Sequence, residues 1–402
     1  MLTTAEASQA ILAAVPAFGT ESVRLSKAFG RVLRQSVCAE RDQPPFDRVT
    51  MDGIALRYAS LESGNRRFTI SGRQHAGDPR QTLTNDQSCI EIMTGAALPE
   101  NTDCIVPVER TRIIDGSAEI DPDYKATQRQ FIHRQGSDFR LGHEILGDGH
   151  RIEPMDIAII ASCGQDSVIV TKQPTMRVIS TGNELVEAGK AIEDHQIRMS
   201  NGPAIVAMLQ SYGYENCEHD HIVDDRAQLA AKIEKHLQES DVLVLSGGVS
   251  MGTADFVPEI LAGLGVKVLF HKVSQRPGKP MWFGTGPGDQ IVFALPGNPV
   301  SAMVCCRQYV LPALGTASGK PMPSVEMAVL SDTYHFSPAL TCFLPVSLSS
   351  DNTGRLIATP VPTNTSGDFA ALSGTDGYVE LALEVSDFPA DSIVPLHRWH
   401  RV

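Results

Sequence analysis

Between Asp241 and Ser301 the chain carries hydroxyls at Ser246, Ser250 and Ser301, a carboxylate at Asp255 and cations at Arg276 and Lys279. Three turn-forming runs space them: SGGVSMGTADF (Ser246 to Phe256), RPGKP (Arg276 to Pro280) and ALPGNPVSA (Ala294 to Ala302). An apolar run, Val242 to Leu245, ends in Gly247-Gly248, and a second, Ile291 to Leu295, ends in Pro296-Gly297-Asn298-Pro299. Strand, glycine turn and helix in that order expose backbone donors along one edge of a parallel sheet. Such an edge suits an anion. In PGK the lysine follows a stiffened glycine turn, where its ammonium can meet a phosphate. The chemistry expected here is binding of phosphate-like or other oxyanion groups.

Carboxylates recur in turns at Asp52, Glu184, Asp224-Asp225 and Asp255. Hard oxygen ligands without a His/Cys cluster suit Mg²⁺ better than Zn²⁺. Each acid also has a plainer reading, as a turn cap or a solvated loop residue. The same choice stands for Asp47 and Asp52 in QPPFDRVTMDGIALRY. No GxGxxG follows the first strand and no GxxxxGK[ST] occurs, which disfavours a dinucleotide fold and a phosphate-loop NTPase. His219 and His221 lack a matching ligand frame and read as solvated or capping side chains. The eight cysteines form no CxxC pair, as expected of reduced thiols in a cytoplasmic protein. Cys305 and Cys306 point in different directions on a presumed helix and make a poor metal pair.

Positioning these groups takes several cores, because 402 residues exceed one ordinary domain. The expected class is multidomain α/β plus β. Residues 1–42 and 134–174 form a helical and linker region, and 43–133 a β-rich domain on it. Residues 175–318 form a three-layer α/β domain with a mainly parallel sheet, and 319–402 a small β-barrel or sandwich. Helical spacing runs over residues 4–15 with Thr4 as cap, and the start reads as an amphipathic helix rather than a signal peptide. A short helix is expected from Ser26, running into an extended segment at Glu40. The stripe Ile152 to Ala161 should pack back on the first helix. Asn201 should cap the helix beginning in SNGP. Asp138 lies in the charged loop between Gly136 and Gly142, and Thr94-Gly95 ends a strand. The formal charge of −13 argues against nonspecific nucleic-acid binding, and no stretch has the length and apolarity of a membrane span.

Taken in order, PPFDRVTMDGIALR, MTGAALPENTDCIVPVE, RQGSDF, VISTGNELVEAG, SNGP, SGGVSMGTADF, RPGKP and ALPGNPVSA resemble the molybdopterin molybdenumtransferase family. This is the family of bacterial MoeA proteins and the E domain of gephyrin-like proteins, and the match covers Gln43 to Pro312. The resemblance implies insertion of molybdate into adenylylated molybdopterin, with loss of AMP and with Mg²⁺ assisting. It implies a homodimer whose clefts combine the α/β domain of one subunit with parts of the other. On that pattern Asp52 and Thr94 come from the N-terminal part, with Asp255 and Lys279 beside them in catalysis. Glu184, Asp224, Asp225 and Asp255 surround the metal or the pterin nucleotide. Ser246, Gly247, Gly248, Ser250, Arg276, Pro296, Pro299, Ser301 and Asp138 bind it, and Ser366 lies in a C-terminal loop that faces molybdate.

The adenylylating domain fused to some relatives has no counterpart here, so a separate molybdopterin adenylyltransferase would supply the substrate by transient contact. Several positions depart from the family pattern. His133 stands for an arginine, Ser137 for an acid, Arg276 for a lysine and Pro345 for an arginine. These motivate the alternative of a noncatalytic paralogue that binds molybdopterin or scaffolds cofactor assembly.

Overall fold

The computed structural model describes residues 1–248, 256–321, 324–361, 363 and 365–400. Helix α1 (Thr4–Ala14) opens with a capping box. The Thr3 hydroxyl accepts from the Glu6 N–H, and the Glu6 carboxylate accepts from the Thr3 N–H at 2.8 Å. Thr3 is therefore the cap, and Thr4 is the first helical residue. Strand β1 (Thr20–Arg24) pairs antiparallel with β8 (Ser167–Thr171). Between them lies a six-stranded sheet of β2 (Gly53–Leu56), β3 (Arg67–Gln74), β4 (Ser88–Ile92), β5 (Cys104–Pro107), β6 (Thr111–Ile114) and β7 (Ser117–Ile120). Its order is β5-β2-β4-β3-β7-β6. Helix α2 (Pro154–Ser162) follows.

The central domain is an alternation of strand and helix. Its strands are β9 (Met176–Thr181), β10 (Cys217–Ile222), β11 (Val242–Ser246), β12 (Lys267–His271), β13 (Trp282–Thr285) and β14 (Ile291–Leu295). Its helices are α3 (Asn201–Ser211), α4 (Arg226–Glu239), α5 (Val257–Gly263), α6 (Pro299–Cys305) and α7 (Leu311–Ala317). The order β10-β9-β11-β14-β13-β12 is parallel through β14 and antiparallel beyond it. Side chains alternate between two cores. Val242, Val244, Ile291, Phe293 and Leu295 join one cluster with α3, α6 and α7, while Leu243, Leu245, Val292 and Ala294 join the other with α4 and α5. Burial on both faces is why these strands read as unbroken apolar runs. Each fully buried Val, Leu, Ile or Phe contributes about 1.5–3 kcal/mol by transfer from water.

Between α6 and α7 the helix widens into a π turn, Cys306–Val310. Pro312 offers no N–H to the carbonyl of Gln308 and its ring crowds that position, so the preceding turn cannot close as an α turn. The last unit is β15 (Glu326–Leu330), β16 (Thr341–Ser350), β17 (Leu356–Pro360), β18 (Gly377–Leu381) and β19 (Ile393–Arg398). Pairing runs β16-β17-β15-β19-β18 and returns to β16, which closes a five-stranded barrel around Leu344, Val346, Val379 and Leu396. Of the two expected alternatives, the barrel is the one formed.

Three local expectations differ. Only a single 3₁₀ turn, Leu25–Lys27, forms where a helix from Ser26 was expected, and Leu33 and Val37 instead enter a core with Val168 and Val170. Ile157, Ile159 and Ile160 of α2 pack in that same core, not on α1. Helix α1 is claimed by the central domain: Ala7 and Ile11 are buried in its first cluster, and Leu2 bridges Val273. Ser200, not Asn201, precedes α3 as its N-cap residue.

The loop after Val273 is held from within. Buried Gln275 donates from Nε2 to the Pro277 carbonyl at 3.1 Å and accepts from the Tyr309 hydroxyl on the π turn. Gly278 has φ +93°, and a Cβ there would lie 2.5 Å from Cys305 Sγ and 2.7 Å from Gln275 Nε2. Gly278→Ala is therefore expected to lower unfolding free energy by about 1–3 kcal/mol. Urea denaturation measures this, and an unchanged midpoint would show that the loop yields freely.

Candidate functional site

The carboxyl ends of β9, β11 and β14 open into a cavity of about 610 Å³. From β9 the chain crosses to β10 on one side, while β11 lies on the other, so the cavity sits where the strand order reverses. Its floor is Ser180-Thr181-Gly182 at the end of β9, Ser246-Gly247-Gly248 at the end of β11 and Pro296-Gly297-Asn298-Pro299 following β14. The glycines are required by close approach. Gly247 has φ +98°, and a Cβ would stand 2.7 Å from the Thr181 carbonyl oxygen. At Gly248 a Cβ would stand 2.9 Å from Thr181 Oγ1. Asn201 spans the floor: Nδ2 donates to Ser246 Oγ at 3.0 Å and to the Gly297 carbonyl at 2.7 Å. Thr181 Oγ1 and Asn201 Oδ1 are buried without a hydrogen-bond partner among the described residues.

Charge of both signs lines the cavity. Glu184 and Asp224 stand in its wall, and the Asp224 N–H donates to Asn183 Oδ1 at 3.0 Å. Mg²⁺ commonly takes one or two carboxylates and fills its remaining positions with substrate phosphates and water. Glu184 and Asp224 fit that pattern; a cage of three or more His, Cys, Asp or Glu is absent among the described residues. Asp225 does different work, accepting from the Gln228 N–H at 2.9 Å as the N-cap of α4. Unlike Asp224, Asp225 does not line the cavity.

Arg198 supplies a guanidinium to the wall and was not singled out in the sequence. Its Nη1 donates to the Glu187 carbonyl at 2.8 Å, leaving other N–H groups for a ligand. A cation just ahead of the SNGP helix start was the available signal.

Other expected residues fall outside this wall. Arg276 and Lys279 are exposed, and the RPGKP loop reaches the cavity through Pro280. Ser301 is buried in α6 away from the lining. Ser366 acts from the side: its hydroxyl accepts from Asn298 Nδ2 at 2.6 Å and its carbonyl from the Val300 N–H at 3.1 Å, which seats neighbouring Gly367 in the wall. Ser250 and Asp255 lie outside the described residues.

His219 and His221 are partly buried and hydrogen-bonded to the end of β9. His219 Nε2 lies 3.0 Å from Ser180 Oγ, and burial pushes its pKa below the ordinary value. His221 Nε2 meets the Gly182 carbonyl at 2.9 Å. Both brace the end of β9 from the neighbouring strand.

In the N-terminal part, Asp52 and Thr94 come together but do not line the cavity. The Thr94 hydroxyl and N–H each donate to Asp52 Oδ1 at 2.6 Å. The hydroxyl first, then the N–H, holds the Asp52 carboxyl below its usual range. Asp138 also lies apart from the cavity, 2.9 Å from His133 Nε2, and Arg48 Nη2 is 3.2 Å from His133 Nδ1. His133 thus bridges a cation and an acid.

Comparison with known proteins covers nearly the whole chain. Three family models match: the MoeA N-terminal region (domain I and II) over residues 2–164, a probable molybdopterin binding domain over 177–316, and the MoeA C-terminal region (domain IV) over 327–397. The molybdopterin molybdenumtransferase of Synechocystis sp. is 37% identical over 99% of this chain and 100% of its own length. The enzyme of that name from Staphylococcus aureus is 30% identical over 94% of this chain and 90% of its own. A crystal structure of the molybdopterin biosynthesis MoeA protein from Pyrococcus horikosii superposes with a TM-score of 0.84 at 28% identity, covering both chains completely.

Thr94→Val should move the Asp52 titration midpoint upward, because the hydroxyl that favours the carboxylate is gone while the N–H remains. A folded-state pKa below the unfolded one gives stability that is present above the unfolded value and lost as pH falls through the folded value. The variant should therefore lose that contribution at a higher pH than the parent. Carboxyl NMR titration of Asp52 tests this, and an unmoved midpoint would remove Thr94 as the cause.

Proposed function

The chain belongs to the MoeA family of molybdopterin molybdenumtransferases, which insert molybdenum during molybdenum cofactor synthesis, and we propose the terms on which it does so. Its substrate is adenylylated molybdopterin, molybdate is the incoming oxyanion, AMP leaves, and Mg²⁺ assists. The observation that carries this reading is the 610 Å³ cavity at the switch point of the sheet, whose wall combines Glu184 and Asp224 with Arg198 and three polar turns. Its size falls in the ordinary range for a small-molecule site. Glu184 and Asp224 would hold Mg²⁺, and the sequence nominates Asp255 as a further ligand. Bound there, the metal supplies neutralisation of charge on the anhydride phosphates.

The chain's own groups bind and orient. Arg198 meets the phosphate side of the nucleotide, where a planar guanidinium can make paired hydrogen bonds. The backbone of the Gly247-Gly248 and Pro296–Pro299 turns faces molybdate, a tetrahedral dianion that N–H donors receive well. Arg276 and Lys279 stand outside the wall and raise the local concentration of anions. Dithiolene sulfurs come with the substrate, so no protein thiol is needed. Consistent with that, burial raises the thiols of Cys305 and Cys342 to about 12.

Asp52 and Thr94 form a preset pair that lies off this cavity, and in a homodimer they serve the other subunit's site, with Asp138 on the same N-terminal part. A separate adenylyltransferase hands over the substrate, in the cytoplasm. Among the described residues no helix is long and apolar enough to cross a membrane. The scaffold reading drew on His133, Ser137 and Pro345, and none of these lines the cavity.

Purified protein mixed with adenylylated molybdopterin, molybdate and Mg²⁺ should release AMP and yield active cofactor only when molybdate is present. Glu184→Gln and Asp255→Asn should each slow turnover by about 10–100-fold, as expected for loss of a charge that stabilises the transition state. Their thermal unfolding should stay near that of the parent. Tight pterin binding without molybdate-dependent AMP release would overturn the catalytic reading.

A further inference from the structure

The β11–β14 ladder ends at the pair Ser246 and Leu295, just before both strands enter the turns that floor the cavity. Just beyond that pair the Gly247 N–H still donates to the Leu295 carbonyl at 3.3 Å, and side chains join the turns that follow. Asn201 is placed to set their separation. Both amide protons are used, one on Ser246 Oγ and one on the Gly297 carbonyl, so a single carboxamide ties the end of β11 to the turn after β14. Asn201 is already inside α3, and Ser200 occupies the cap position, so these bonds do not serve as a helix cap.

The other half of the carboxamide argues against a stabilising role. Oδ1 is buried with no hydrogen-bond partner among the described residues, and an acceptor left in that state is unfavourable to the fold. Leucine would fill nearly the same shape without that cost. A residue retained for packing alone would have no reason to carry it.

We infer that Asn201 is a positioning residue for molybdenum insertion, holding the Gly247-Gly248 and Pro296–Pro299 turns at the spacing that admits the pterin nucleotide and molybdate between them. This rests on the function proposed above. The clamp acts through Ser246 and Gly297 rather than on the reacting atoms, and misplacement of such turns by about 1 Å is enough to cost on the order of a hundredfold in rate.

The test compares parent, Asn201→Leu and Ser246→Ala for affinity towards adenylylated molybdopterin, for kcat at saturation and for thermal unfolding. Asn201→Leu should bind about tenfold more weakly and turn over about 10–100-fold more slowly, while its unfolding temperature is unchanged or raised. Ser246→Ala, which removes one of the two bonds, should move the same way by less. Parent-like affinity and kcat in Asn201→Leu overturn the clamp, as does activity lost only in proportion to folded protein. If Asn201→Leu does not fold, Ser246→Ala decides, and parent-like affinity in it sinks the idea. A parent protein that binds the nucleotide but releases no AMP overturns the functional reading instead, and the affinity comparison still judges the clamp.

Discussion

Both faces of the β10-β9-β11-β14 sheet are covered by helices, and this burial governs the rest of the molecule. The inner strands β11 and β14, buried along their whole length, bring polar groups to the surface only at their ends. Parallel direction then gathers several carboxyl ends along one edge, and the reversal of order between β10 and β11 parts the crossing chains above it. The cavity follows from these two conditions. Its glycines follow in turn, because turns packed this closely leave no room for a Cβ between Gly247 and the Thr181 carbonyl.

Distant parts of the chain are recruited to keep that edge in place. Helix α1 lies on the central domain, and Leu2 bridges Val273 next to the RPGKP loop. Pro312 forces the π turn that carries Tyr309, whose hydroxyl donates to Gln275 under the same loop. The barrel reaches in through Ser366, which binds both Asn298 and the Val300 N–H. Buried Tyr378 donates to Gln308 at 2.7 Å and further joins barrel to helix. A loop that is exposed at Arg276 and Lys279 is thus fixed from beneath by buried hydrogen bonds.

The N-terminal part shows how one acidic motif can yield different roles. Asp52 is held ionised by Thr94, whereas Asp47 pairs with Arg129 and accepts from the Gln135 N–H. For Asp47, burial raises the carboxyl pKa, but hydrogen bonds from Gln135 and Arg129 outweigh it and the net shift is downward. Asp47 is therefore structural, and Asp52 keeps one oxygen clear of these bonds. Sequence spacing alone could not separate the two.

Local regularities were legible in the chain. The runs VLVLS and IVFAL declared strands buried on two sides, glycine and proline fixed where they turn, and the ordered motifs identified the family. Glu184, Asp224, Gly247, Gly248, Pro296 and Pro299 could be nominated because turn chemistry is a short-range property. Decisions between equivalent local readings required the folded chain. Asp224 faces the cavity while adjacent Asp225 caps α4, since one residue of offset at a helix start reverses which side chain meets the backbone. Asn201 looked like a cap and became a clamp because Ser246 and Gly297, far away in sequence, arrive beside it. His219 and His221 brace β9 because parallel register sets them opposite Val178 and Ser180, from where each side chain reaches two residues further, to Ser180 and Gly182. The sequence by itself determined which segments fold and which atoms are available. Only tertiary packing decided which of those atoms meet, because their partners come from non-local contacts that no local pattern encodes.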